Sequence, residues 1–163
     1  MDTFAPAPAP FDAPRGDPAD HTGLTVLSLA ECMARLACRR VGRLGFMTAG
    51  SIVIVPVHHV MVGATPYFRT RGNIKIGLAG DRAPVAYEVD DFGEHPDGSV
   101  WGWSVCLSGI AYVVTDRDLI ERLDALDHSP WPWGQPDEAA WVGVVAEEVS
   151  GREIPARSPT AER

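Results

Sequence analysis

The chain has 163 residues, with 22 acidic against 14 basic side chains and a formal net charge of −8 at pH 7. That balance argues against nucleic acid or an anionic membrane as the main partner, because both need a basic footprint. One domain with a proper core fits this length. No stretch reaches the roughly 18–20 apolar residues that span a bilayer.

The three cysteines are too few and too uneven for a disulfide framework, which points to a reducing cytoplasm. The first twenty residues alternate alanine with proline and then add Asp12, Arg15, Asp17 and Asp20. They lack the basic start and apolar run of a signal peptide. They also carry too little apolar area to fold, so residues 1–23 are expected to be a disordered tail. The run after Ile154 reads the same way, which gives a tail over 153–163 and a folded unit over 24–152.

Ser28-Leu29-Ala30-Glu31 is a capping-box signature. Behind it Leu29, Cys32, Met33, Leu36 and Ala37 recur at the spacing of one helical face, so a helix is predicted to end near Arg40. Cys32 and Cys38 point to different sides of it and cannot bridge. Glu31 and Arg35 stand at i, i+4, the spacing of an outward ion pair.

Strands follow. Gly42 to Thr48 is the first, and Ala49-Gly50 turns it into Ser51–Met61. This second strand is apolar on both faces, so it should be covered twice, by a helix or by another subunit. Pro56 in its middle cannot donate to a ladder, which suggests an edge, a bulge or a docking place. A turn at Gly63-Ala64-Thr65-Pro66 leads to a short strand ending in Phe68. Arg69 and Thr70 then enter a tight loop, with Gly72 and Lys75 beyond and a short helix over 73–80.

Two cations, a hydroxyl and a glycine at a strand-to-helix junction are what a phosphate group needs. The first free amides of the short helix add to the same anion site. Val85, Tyr87 and Val89 alternate with Ala86, Glu88 and Asp90 in a half-buried strand. A polar hairpin over 91–98 joins it to Trp101–Thr115. A second helix starts at Thr115-Asp116, with Leu119, Ile120, Leu123 and Leu126 as its stripe. The Trp131–Pro136 loop and a last strand, Trp141–Ser150, complete a mainly β chain read as a small antiparallel barrel with helices at its ends.

Several motifs stand in a fixed order. They are Val41-Gly42-Arg43-Leu44, Val55-Pro56-Val57, Phe68-Arg69-Thr70 with Lys75 after it, and Val85-Ala86-Tyr87-Glu88-Val89-Asp90. Gly102-Trp103-Ser104-Val105 with Gly109, and Ser150-Gly151-Arg152, close the series. In these the chain resembles the FMN-binding split-barrel family related to pyridoxamine 5'-phosphate oxidase, in its bacterial branch, over about Leu27 to Arg152. The resemblance implies a split β-barrel that dimerises, with a cofactor site at each subunit interface. It implies that Arg69, Thr70 and Lys75, on a loop shaped by Gly72, hold the FMN phosphate. The backbone of Val55, Pro56 and Val57 would lie against the flavin ring, and Trp103 and Ser104 would complete the site. The chemistry would be the flavin's own, with no catalytic protein side chain. Two departures stand out. His58-His59 replace the family's frequent asparagine and aromatic residue, and Asn73 replaces a glycine before the lysine.

Plainer readings compete at single residues. His58 and His59 are adjacent on a strand and point to opposite faces, so they do not share a metal ion. No other histidine or Cys-x-x-Cys supplies ligand spacing, and no metal is expected. One of the pair could face the flavin cleft and touch substrate, and the other reading is a hydrogen-bonded structural histidine. Arg43 reads as a surface or ion-pair residue. Trp101, Trp103, Trp131, Trp133 and Trp141 could line a ligand cleft, although Trp101 and Trp103 share a face and equally suit core or interface. Cys106 reads as a small buried hydrophobe. Asp90-Asp91 and Glu147-Glu148 should straddle their strands.

The expected function is therefore that of a cytoplasmic, homodimeric, FMN-dependent oxidoreductase acting on a small molecule. F420 is an alternative cofactor, and haem another, with His58 or His59 as axial ligand. A barrel that binds without turnover is the rival from a different class. No residue pattern specifies pyridoxamine phosphate as the substrate.

Overall fold

The computed structural model describes residues 21–71, 82–128 and 139–154. The expected tails, the helix over 73–80 and the Trp131–Pro136 loop lie essentially outside these residues. Helix α1 is Leu29–Cys38 and helix α2 is Arg117–Leu126. The strands are β1 (Thr25–Val26), β2 (Val41–Thr48), β3 (Ser51–Val62), β4 (Thr65–Arg71), β5 (Ala83–Glu94), β6 (Val100–Val113) and β7 (Ala139–Glu153). Their order is β1-β7-β4-β3-β2-β5-β6, and β6 also pairs with β7. Six antiparallel strands thus close into a split β-barrel, and the short β1, which carried no sequence signal, adds to the end of β7.

The start of α1 follows its sequence. Glu31 N–H donates to Ser28 Oγ at 3.3 Å, and Ser28 N–H donates to Glu31 Oε2 at 2.7 Å. The Ser28 hydroxyl also donates to Glu31 Oε2 at 2.7 Å, and it and the Ser28 N–H hold the Glu31 carboxyl below its ordinary pKa. Arg35 draws the Glu31 pKa down electrostatically, but its close ion pair is not with Glu31 as expected. It bonds Glu153 at 2.5 Å and lies 5.3 Å over the Trp103 ring, because the glutamate is occupied by the cap.

Alternation sorts every strand into two faces. Leu44, Phe46, Val57, Phe68, Val85, Tyr87, Val89, Trp103, Val105, Leu107, Val142 and Val144 point inward, and α1 adds Cys32 and Leu36. A second, outer core forms where Leu119, Ile120 and Leu123 of α2 cover Val60, Val62, Tyr67 and Trp141. Leu126, expected on that stripe, is exposed.

The doubly apolar β3 is covered in part. Its C-terminal half lies beneath α2, while its N-terminal half leaves Ile52 and Ile54 77% and 67% exposed beside Met47 at 63%. The bond from His59 N–H to Arg40 O marks that pair as hydrogen-bonded, and the register then makes Arg43↔Pro56 a non-bonded pair. The missing donor of Pro56 therefore faces away from β2, on a stretch that β4, first paired at His59, has not reached. The edge reading of Pro56 holds.

Four other expectations change. The turn after β3 is Gly63-Ala64 alone, with Gly63 at φ +62°, and Thr65 and Pro66 already belong to β4. Arg69 and Thr70 lie in β4 rather than in a loop, because β7 pairs with them at Trp141 and Ala140. Cys106 is exposed, since alternation with Val105 and Leu107 turns it outward. Glu147 and Glu148 are both exposed. A bulge, where Ser108↔Glu148 is followed by Gly109↔Ala146, leaves Glu147 without a ladder partner. Arg43 behaves as an ion-pair residue, bonding Glu88 at 2.8 Å and Asp90 at 2.6 Å.

Candidate functional site

Strand parity separates the predicted site residues. Val55, Val57, His59, Thr70 and Trp103 turn into the barrel, whereas Pro56, His58, Arg69 and Ser104 turn outward. Arg69 and Thr70 therefore present their side chains to opposite faces of one wall. Within one chain they do not form the single cluster expected from a loop. Thr70 is buried, and among the described residues its hydroxyl reaches only the Arg71 carbonyl, at 3.5 Å. Ser104 lies on β6, three strands from His58. Gly72 and Lys75 lie outside the described residues.

What the fold does bring together is His58 and Arg69. The β3–β4 ladder includes Val60↔Tyr67 and His59↔Phe68, and one step further along come His58 and Arg69. Both face the last turn of α2. His58 Nδ1 stands 3.6 Å from Asp127 Oδ1, with side chains only 6% and 7% exposed. Arg69 Nη1 stands 3.5 Å from Asp124 Oδ1, and its guanidinium lies 5.8 Å from the Trp141 ring centroid. Asp124 Oδ1 also accepts the Trp141 indole N–H at 2.8 Å.

Two atoms of this constellation are buried without a hydrogen-bond partner among the described residues, His58 Nε2 and Arg69 Nε. Unpaired buried polar atoms are costly and are uncommon outside sites that receive something. Burial lowers the His58 pKa, against the opposing pull of Asp127, and the Arg40 guanidinium lowers it further.

His59 is different in kind. Its Nε2 bonds the Leu36 carbonyl at 2.9 Å and its Nδ1 bonds Tyr87 Oη at 2.6 Å. With both ring nitrogens occupied inside the core, it is a structural histidine.

Pro56 borders a neighbouring open cleft of about 380 Å³, lined also by Arg39, Arg40, Val41, Gly42, Arg43, Asp90 and Asp91. Arg43 there bonds Asp90, and Arg39 pairs with Asp91. Among the described residues no cluster of three or more His, Cys, Asp or Glu could hold a metal ion. No described helix is long and apolar enough to cross a membrane.

Asp124 and Asp127 were not legible as site residues. The contacts join β3 and β4 to a helix more than fifty positions away, and no local motif reports them. The only available signal was the i, i+3 acidic pair at the end of a predicted helix.

The barrel topology places the chain among antiparallel split β-barrels. A family model described as pyridoxamine 5'-phosphate oxidase matches residues 28–153, and the chain belongs to that family. The uncharacterised protein Rv0080 of Mycobacterium tuberculosis is 32% identical over 151 residues, spanning 90% of this chain and 95% of that one. An FAD-binding protein from Mycobacterium smegmatis superposes with a TM-score of 0.64 at 27% identity, covering 80% of this chain and 100% of its own. An FAD-binding protein from Mesorhizobium loti gives 0.65 at 26% identity, covering 80% and 96%.

Proposed function

We propose that this protein binds a phosphate-bearing flavin, FMN in the first instance, and serves as a homodimeric oxidoreductase of a small molecule. The observation that carries the reading is Arg69. Its guanidinium is fixed against Trp141, yet its Nε–H is buried and lacks an acceptor among the described residues. A phosphate oxygen supplies that acceptor with a charge-assisted bond. The FAD-binding relatives support a flavin in general and make FAD the competing ligand.

Arg69 would hold the phosphate, with Gly72 and Lys75 assigned to it by family resemblance; the Thr70 hydroxyl, buried on the opposite face of β4, would not join them within one chain. Pro56 and the backbone of Val55 and Val57 would screen the ring from water. A bound flavin supplies hydride and electron transfer. Free thiols at Cys32, Cys38 and Cys106 support a reducing, cytoplasmic setting.

The first test is an absorbance spectrum of the purified protein before and after adding FMN, FAD and F420. Bound-flavin bands support the reading. A Soret band would move the site to His58, since His59 has no ring nitrogen to spare. A colourless protein that ignores all three ligands would leave a barrel that binds something else. Arg69→Ala is expected to weaken FMN by about 1.5–3 kcal/mol, roughly 10- to 150-fold, with the fold intact. A flavin-fluorescence titration measures this, and unchanged affinity removes Arg69 from the site.

Dimerisation is proposed through the bare half of β3. Met47, Ile52, Ile54 and Pro56 form a continuous outward apolar strip across the β2–β3 hairpin. Ile54→Glu is expected to give a monomer in sedimentation at a concentration where the unaltered chain is a dimer. A monomeric unaltered chain would contradict the proposal.

A further inference from the structure

We propose that Asp124 is an internal counter-ion for Arg69, a specificity-determining carboxylate that an incoming phosphate displaces. The inference rests on the reading of Arg69 as the phosphate ligand and adds a residue that the family motif does not contain.

The geometry of the three side chains separates an anchor from a competitor. Asp124 Oδ1 is anchored by the Trp141 indole N–H at 2.8 Å. Its approach to Arg69 Nη1, at 3.5 Å, is too long for a strong charge-assisted hydrogen bond. Arg69 is thus neutralised at a distance rather than clamped. Among the described residues its Nε remains a buried donor without an acceptor, so the pair leaves hydrogen-bonding capacity that a phosphate can use and a distant carboxylate cannot.

Asp124 is also free to yield. Its side chain is 44% exposed, on the last turn of a surface helix whose packing is carried by Leu119, Ile120 and Leu123. One helical step on, Asp127 faces His58 in the same way. The end of α2 therefore sets one carboxylate against each of the two outward cations of the β3–β4 wall. While Asp124 stays in place, an anion meets a neutral pair instead of a cation. The resulting penalty grows with the charge on the ligand's phosphate and vanishes for a ligand with none.

The test compares FMN with riboflavin, which has the same ring and no phosphate. Asp124→Asn keeps an oxygen for the Trp141 N–H and removes the charge. It is expected to tighten FMN about two- to fivefold, the range of an exposed ion pair, and to leave riboflavin affinity unchanged. In an Arg69→Ala background the same substitution should give no gain. Circular dichroism melts check the fold, and Asp124→Ser repeats the measurement if Asn is poorly folded.

Weaker FMN binding by Asp124→Asn would show that Asp124 positions Arg69 rather than competing with phosphate. Equal tightening of FMN and riboflavin would show a steric rather than an electrostatic effect. Either result overturns this inference alone, provided that Arg69→Ala still weakens FMN. If Arg69→Ala changes nothing, the flavin-phosphate reading and the counter-ion fall together.

Discussion

Gly109→Ala is expected to lower the thermal midpoint by about 10 °C, from a cost of roughly 3 kcal/mol, while Gly102→Ala lowers it much less. Both positions look equally crowded. A Cβ on Gly109 would sit 2.1 Å from the Val145 carbonyl oxygen, and a Cβ on Gly102 would sit 2.1 Å from Phe92 Cδ1. What decides the outcome is which group must move. Phe92 is 60% exposed and swings into solvent. Val145 O belongs to the backbone of β7 beside the bulge that brings Val145 and Ala146 onto Gly109.

Moving that oxygen disturbs the β6–β7 pairing, which closes the barrel. It also disturbs the bulge that switches the inward set of β7 from Val142, Val144 and Ala146 to Val149. Paired melts of the two variants decide the matter. Equal midpoints would mean that the bulged backbone yields as easily as an exposed ring.

The contrast between local and distant signals also governs how much could be read from the sequence. Helix α1 was legible because its cap and stripe are patterns within ten residues. The β2–β3 hairpin was legible for the same reason. Ala49 and Gly50 both have positive φ, +47° and +77°, as the tight two-residue hairpin turn requires. β3 announced itself as a strand to be covered on both faces, by a helix or another subunit, and among the described residues its N-terminal half stays exposed.

Arg69 was picked out by residue type and neighbours, but its setting was misplaced. Whether a chain stays extended past Phe68 depends on β7 pairing with it from seventy positions away. That pairing turned a predicted phosphate loop into strand and sent Arg69 and Thr70 to opposite faces. The bulge opposite Gly109 likewise left no mark, and it left Glu147 and Glu148 both exposed instead of on opposite faces. His58-His59 gave the opposite faces correctly by alternation alone. Their partners came from α1, β5 and α2, so only the structure could tell the structural ring from the one with a spare nitrogen.

His59 carries the other large effect. The Leu36 carbonyl can only accept, so His59 Nε2 carries the proton, Nδ1 is bare, and Tyr87 O–H donates to it at 2.6 Å. Leu36 lies in the last turn of α1, where carbonyls have no partner within the helix. His59 therefore ties the end of the helix to the barrel core through a single neutral tautomer. His59→Phe leaves both the Leu36 carbonyl and the Tyr87 hydroxyl unpaired, at a cost of about 2–5 kcal/mol. Tyr87→Phe leaves only Nδ1 unpaired and should cost about 1–2 kcal/mol.

Burial lowers the His59 pKa, with the neighbouring His58 acting in the same direction. The unfolded chain therefore takes up the proton first as the pH falls. Stability is fully present above the unfolded value of about 6.5 and declines as the pH drops through it toward the lower folded value. Urea midpoints measured from neutral to mildly acidic pH should show this decline in the unaltered chain. In His59→Phe it should be flatter, with a lower midpoint throughout. Because burial lowers the His58 pKa as well, His58→Gln separates the two histidines. If the slope survives His59→Phe and disappears in His58→Gln, the acid sensitivity belongs to the α2 contact and not to the core.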